Sequence, residues 1–294
     1  MKNYINQNRF HKLFFAIVIT LLTTGTLCAQ NTNSKVNVPI ADPSRPVQLR
    51  AHLLNGSITV RGADVKEVVV EAKARDDGDG EEPEDRAERR QEKGRTDGMK
   101  RIPMTSAGLN IESENNVVRI STDALRHSTD LVITVPVRTS ASLHTVNGGD
   151  IVVTGIDGEL DINNVNGSVT LKNISGSVVA HALNGRVLVT FNRVEVKPMA
   201  FSSLNGDIDV TFPPDIKANV SMRTDNGEVY SDFDVQLAAG APQQVVEDNR
   251  GKGGKYRVKV EKTVRGTING GGPEIQFKNF NGNIYIRKAV PPRL

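Results

Sequence analysis

The sequence predicts an all-β chain: a parallel β-solenoid, β-helix-like, wound in coils of about 20 residues with irregular end coils and one charged insertion. Three observations predict it. The dipeptide Asn-Gly returns at Asn147-Gly148, Asn166-Gly167, Asn184-Gly185, Asn205-Gly206 and Asn226-Gly227, at intervals of 19, 18, 21 and 21 residues. A short run with aliphatic residues in alternate places follows each one. Equivalent places of successive runs match in the same direction along the chain, which suits stacked coils better than a meander, although Asn-Gly is also a strong hairpin signal.

The first 29 residues read as a secretory signal. Lys2, Arg9 and Lys12 precede the apolar run Leu13 to Leu22, which gives way to small residues ending at Ala29. Ten apolar residues are too few for a membrane span, which needs about 20. Cleavage after Ala29 leaves Gln30 first. Cys28, the single cysteine, stands where a lipoprotein signal puts its acylated residue, but bulky Leu27 before it favours ordinary cleavage. The remaining chain then has no thiol and no disulfide.

Without that segment the Lys+Arg count drops from 37 to 34, against 34 Asp+Glu. The net charge becomes zero, so the chain as a whole has no basic footprint for nucleic acid. No second apolar run is long enough to span a bilayer. Residues 30–44 read as a linker, 45–290 as one solenoid domain and 291–294 as a tail that Pro291-Pro292 cuts off from the last strand.

Within the repeats, the second residue of each run gives Ile151, Val169, Val187, Ile208 and Val229, and the fourth gives Val153, Leu171, Val189, Val210 and Ser231. Alternate side chains of a strand share a face, so these form two aliphatic ladders inside the coil. The places between them are mixed and polar: Asp150, Ser168, Arg186, Asp207 and Glu228, then Val152, Thr170, Leu188, Asp209 and Tyr230. They suit an outer face. An apolar residue precedes the Asn in Leu54, Val146, Val165, Leu183, Leu204 and Phe280, where it is expected to tuck under the corner. The Asn-Gly pairs are read as corners in which Gly supplies a positive φ.

Two stretches break the pattern. Residues 75–101 hold ten acidic and eight basic residues and almost nothing apolar, the composition of a solvated, disordered insertion. Residues 237–254, with Pro242, Gly251, Gly253 and Gly254, read as a loop.

Degenerate copies flank the core repeats: Leu53-Leu54-Asn55-Gly56-Ser57-Ile58-Thr59-Val60, Leu131-Val132-Ile133-Thr134-Val135-Pro136 and Gly270-Gly271-Gly272-Pro273-Glu274-Ile275. With Val146-Asn147-Gly148-Gly149-Asp150-Ile151, they resemble, in order, the bacterial β-strand-repeat envelope proteins labelled "putative adhesins", largely a domain of unknown function. The resemblance covers most of residues 45–290. It implies an exported bacterial protein with a parallel β-solenoid body, and adhesion by analogy.

Marks of catalysis are sparse. His52, His127, His144 and His181 have no metal-ligand spacing, the glycine runs lack the Lys-Ser/Thr of a phosphate loop, and no serine sits in Gly-x-Ser-x-Gly. The reading is therefore no catalytic residue, no cofactor and no metal. The best carboxylate constellation is Asp207 and Glu228, expected on neighbouring coils near the 5–5.5 Å of a retaining glycosidase, with Asp209 pointing the same way and Arg186 stacked beside Asp207. A solvated charge ladder is the simpler account of these residues, since no Trp is present to stack on sugar.

Three classes of function follow: an adhesin-like interaction module binding envelope polymers or other proteins through outer residues such as Arg186, Asp207, Asp209 and Glu228; a structural or stress-sensing envelope component; and a polysaccharide-cleaving enzyme. The first suits a long regular surface with little concavity.

Overall fold

Runs with aliphatic residues in every second place become strands because only that spacing buries one face of an extended chain. In the computed structural model they stack into two facing sheets. The structure describes residues 33–75, 109–122, 128–238, 244–248, 256–260 and 263–290. The chain divides into residues 1–31 and residues 32–294, and all described residues fall in the second unit. The signal-peptide reading, Cys28, His127, Pro291-Pro292 and nearly all of the charged insertion lie outside them.

Among the described residues eight coils make up the body, each giving one strand to each sheet; strands are numbered in chain order. In order of stacking, the first coil is β6 (Val117–Thr122) with β7 (Thr129–Pro136), and the second is β2 (Val47–Asn55) with β3 (Ile58–Ala63). The third is β8 (Thr139–Asn147) with β9 (Ile151–Thr154). The fourth is β10 (Asp157–Asn166) with the start of β11 (Val169–Asn184), and the fifth is the remainder of β11 with β12 (Val187–Val194). The sixth is β13 (Met199–Asn205) with β14 (Ile208–Phe212). The seventh is β21 (Glu274–Asn281) with β22 (Ile284–Lys288), and the eighth is β15 (Ala218–Asn226) with β16 (Val229–Ser231). Every coil pairs with the next in parallel, as in Val187↔Ile208 and Ile208↔Ile284, and the register shifts only where β11 runs past β12 beyond Leu171.

The parallel solenoid expected from the repeat is therefore present, but its stacking order is not the chain order. The coil at 47–63 lies between those at 117–136 and 139–154, since β2 pairs both β6 and β8 and β3 pairs both β7 and β9. Likewise the last coil, 274–288, lies between 199–212 and 218–231. Each end of the solenoid thus closes over a coil from the far side of a long connection. At the carboxyl end the better-filled coil takes the inner place. It turns Ile275, Phe277, Ile284 and Ile286 inward, all at most 2% exposed, whereas the outer coil offers Ser231 and a Val229 that is 36% exposed.

Antiparallel strands close the ends. On the first sheet β5 (Leu109–Glu114) pairs β6, while β20 (Val264–Ile268) pairs β15 and β17 (Val235–Leu237) pairs β20. On the second, β4 (Glu67–Ala74) pairs β7 and β1 (Asn33–Pro39) pairs β4. The segment read as a linker thus contributes strand β1. The stretch read as a loop contains β18 (Gln244–Asp248), which pairs β19 (Tyr256–Val260). No helix among the described residues is long and apolar enough to cross a membrane.

Between the sheets the ladders fill the core. Ile151, Val169, Val187 and Ile208 are fully buried, as are Val153, Leu171, Val189 and Val210. Phe191, Phe201, Phe212 and Phe277 cluster between the fifth, sixth and seventh coils, Phe201 stacking on Phe277 at 5.4 Å.

Candidate functional site

At the Asn-Gly corner, asparagine side chains form a continuous hydrogen-bonded ladder. Asn166 Nδ2 donates to Asn147 Oδ1 (3.2 Å), Asn184 to Asn166 (2.9 Å) and Asn205 to Asn184 (2.8 Å). Asn281 then donates to Asn205 (2.7 Å) and Asn226 to Asn281 (2.9 Å). The ladder follows the stack, not the chain.

The glycines have a different reason from the one the sequence suggests. Gly206 has φ 149° and Gly148 φ 74°, but Gly167, Gly185 and Gly227 are not in the left-handed region. What demands glycine there is the approach of the next backbone: a Cβ on Gly185 would lie 2.2 Å from the Gly167 carbonyl oxygen, and one on Gly227 2.0 Å from that of Gly282. Real Cβ contacts never come so close. Gly148 meets nothing within 4 Å and is needed for its φ alone.

Behind the corner a buried polar side chain donates to a carbonyl of the previous coil. Thr145 reaches Gly56 (3.0 Å), Asn164 Gly149 (3.0 Å), Ser203 Gly185 (2.9 Å), Asn279 Gly206 (2.9 Å) and Thr224 Gly282 (2.9 Å). Thr145, Asn164 and Asn279 are almost fully buried, and these bonds satisfy carbonyls that the turn withdraws from the sheet. Sequence reading passed over this row because its residue types vary.

The residue after the corner supplies a second cap. Asp130 Oδ1 accepts from Ser57 N (3.0 Å), Asp150 Oδ1 from Ser168 N (2.7 Å), Asp207 Oδ1 from Asn283 N (2.8 Å) and Asn283 Oδ1 from Glu228 N (2.9 Å). Burial alone would raise the Asp130 carboxyl, but the hydrogen bonds of Ser57 and Arg75 outweigh it and hold it below the ordinary value.

These contacts place the four residues proposed from sequence as a contact surface. Asp207 and Glu228 are not on neighbouring coils: Asn283 stands between them, so two strand spacings, about 9 to 10 Å, separate their backbones. The expected retaining-glycosidase separation is thereby overturned. Arg287 Nε donates a bifurcated hydrogen bond to both carboxylate oxygens of Asp209 (2.7 and 3.0 Å). Glu228 accepts from the Tyr230 hydroxyl, which raises the tyrosine's pKa. Arg186 is next to Asp207 in register and exposed, and its side chain has no hydrogen-bond or ion-pair partner among the described residues.

Around them the second sheet carries an aromatic feature that sequence reading missed. Tyr230 and Tyr285 stack at 5.3 Å and 9°, and Arg287 lies 5.2 Å over Tyr285. Adjacent Tyr places in the stack come from runs 55 residues apart, so no local signal announces the pair. Of the apolar residues preceding the Asn, Leu204 and Phe280 do not tuck under the corner, being 39% and 44% exposed on the outside of the first sheet, whereas Leu54, Val146, Val165 and Leu183 are half-buried.

Histidines lie on the outer face of the first sheet. His181 Nδ1 is 2.6 Å from Ser202 Oγ, and His52 and His144 rings meet at 4.8 Å. Among the described residues no group of three or more His, Cys, Asp or Glu is placed to hold a metal ion.

Residues 31–269 match the family model described as Toastrack DUF4097. Two solved structures align with 87% of this chain. One is a putative cell adhesion protein from Clostridium sporogenes, 12% identical, with 99% of that chain covered and a TM-score of 0.41. The other is a putative adhesin from Bacteroides fragilis, 10% identical, with 97% covered and a TM-score of 0.40. No curated protein matches the chain.

Proposed function

We propose that this chain, which belongs to the Toastrack DUF4097 family, is an exported, non-catalytic, adhesin-like module that contacts envelope polymers or other proteins through its outer β-faces. The commitment of the corner carboxylates to the fold carries this reading. Asp150 and Asp207 each cap a backbone N–H of the next coil, and Asp209 is held by Arg287. A catalytic pair needs one carboxylate free to donate or accept a proton at substrate, at a defined separation. Asp207 and Glu228 have Asn283 between them instead. What is left for chemistry is a long ribbed surface, suited to many weak contacts along a polymer or a protein face.

The experiment is to incubate the purified chain with cell-envelope fractions and a glycan panel, scoring retention and product together. Retention without product is expected. Release of glycan fragments, abolished by Asp207→Asn with the fold intact, would replace this reading with the enzymatic one.

A further inference from the structure

In-register strands arrange the outer face of the first sheet as a grid. One row across the coils runs Glu112, Arg119, Arg50, Ser142 and Asp161; the row two residues further along runs Asn110, Ser121, His52, His144 and Asn163. Arg119 and Arg50 therefore stand directly opposite each other on neighbouring strands, both exposed. His52 and His144 stand opposite each other in the same way, with ring centroids 4.8 Å apart. The two pairs rim a depression of about 390 Å³.

Like charges placed directly across a ladder are destabilising. Several exposed cations on this protein are drawn to acidic partners, as Lys197 is to Glu159, Arg193 to Asp157 and Arg287 to Asp209, while Arg186 stands alone among the described residues. Neither Arg50 nor Arg119 has such a partner among the described residues. Two arginines on neighbouring strands, both lining the depression, offer it two forks of N–H donors, the groups that carboxylates and phosphates accept from.

The alternative is a transition metal on the two imidazoles. It lacks a third protein ligand among the described residues, and two guanidiniums stand against a second positive charge. Anion chemistry fits the whole cluster.

We propose that Arg50, Arg119, His52 and His144 form an oxyanion-binding site for a carboxylate- or phosphate-bearing ligand, and that the site tightens on acidification. The proposal concerns a different sheet from the face discussed above and does not depend on that reading. At neutral pH the site draws on the two arginines, opposed by Glu112 at one end of the row and Asp161 at the other. Glu114 lies further along β5, Glu159 is engaged by Lys197, and His181 is bonded to Ser202. Protonation of His144 adds a positive charge beside the arginines. Burial, then the neighbouring His52, hold the His144 imidazole below its ordinary pKa, against the opposing pull of Asp161. A bound anion offsets that charge, so ligand and the His144 proton are taken up together.

The test is calorimetric titration of the whole chain with inorganic phosphate and, separately, with tetragalacturonate, at about pH 5 and about pH 7.5. At least one probe is expected to bind about tenfold more tightly at the lower pH, one coupled proton accounting for a factor of that order. The double variant Arg50→Gln, Arg119→Gln should weaken binding at least about tenfold at both pH values, a loss the size of one charge-assisted pair. The double variant His52→Gln, His144→Gln should keep the affinity at the higher pH and lose the gain on acidification. Tighter phosphate binding identifies a phosphorylated ligand, and tighter uronate binding an acidic glycan. No binding of either probe at the lower pH overturns the site. So does an arginine variant that binds like wild type with an unchanged melting temperature. A histidine variant that keeps the full gain on acidification overturns the pH dependence.

Discussion

Asn281 Nδ2 donates to Asn205 Oδ1 at 2.7 Å, joining residues 76 positions apart as neighbours in one ladder. The next corner asparagine in the chain, Asn226, bonds to Asn281 and not to Asn205. The last coil of the chain is thereby an inner coil of the body, and the coil before it is the end.

That order predicts unequal costs of truncating core residues. Phe277→Ala, in the inserted coil, should destabilise by about 3–5 kcal/mol, because it empties a place between Phe201 and Met222. Val229→Ala, on the end coil and 36% exposed, should cost under about 1 kcal/mol. Denaturant unfolding of the two variants measures the difference; equal costs would place the inserted coil at the end of the stack.

The glycine column predicts a second contrast. Gly185→Ala should cost more than about 2 kcal/mol, since its Cβ must displace the Gly167 backbone. Gly148→Ala should cost only about 1 kcal/mol, the penalty of a left-handed φ, and Gly148→Asn less. Thermal melts decide it, and the opposite ranking would restore conformation as the reason for glycine at Gly185.

Asn279→Ala should destabilise by about 1–3 kcal/mol, because it strips the donor from the Gly206 carbonyl within a buried corner. Hydrogen exchange should show faster exchange around Gly206 and Asn283 and little change at the far end of the solenoid.

His144 predicts a pH dependence with a definite sign. Its folded pKa is depressed by burial and then by His52, so between that value and about 6.5 the unfolded chain binds more protons than the folded one. Stability contributed by neutral His144 is fully present above about pH 6.5 and is lost as the pH falls through the folded value. His144→Gln should flatten that limb of a melting-temperature profile recorded without added anions. An unchanged slope would show that the ring titrates normally.

For the outer face of the second sheet, Arg186→Glu is the cleanest probe, since its side chain holds nothing else among the described residues. Retention on envelope material should fall and become differently salt-dependent, with an unchanged melting temperature. Asp207→Lys is a poorer probe: it also removes the cap on Asn283 N, at a cost of about 1 kcal/mol. If Arg186→Glu binds as well as wild type, the contact lies elsewhere.

The sequence by itself determined the coil. Periodic Asn-Gly pairs and alternating aliphatic residues specify strand, corner and inward face, because each is a local property of a run of about ten residues. The four buried pairs from Ile151 and Val153 to Ile208 and Val210 were legible for that reason. Only the tertiary structure decided which coil stacks on which. The coils from Asn147 to Asn281 present the same ladder of N–H, C=O and asparagine groups, so any of them can pair with any other as far as local pattern goes. The choice comes from how well side chains from distant runs fill the space between the sheets, as Phe277 does against Phe201. The same choice separated Asp207 from Glu228, stacked Tyr230 on Tyr285 and brought Arg50 opposite Arg119. Each of these is a contact between segments whose order in the stack no interval in the chain encodes.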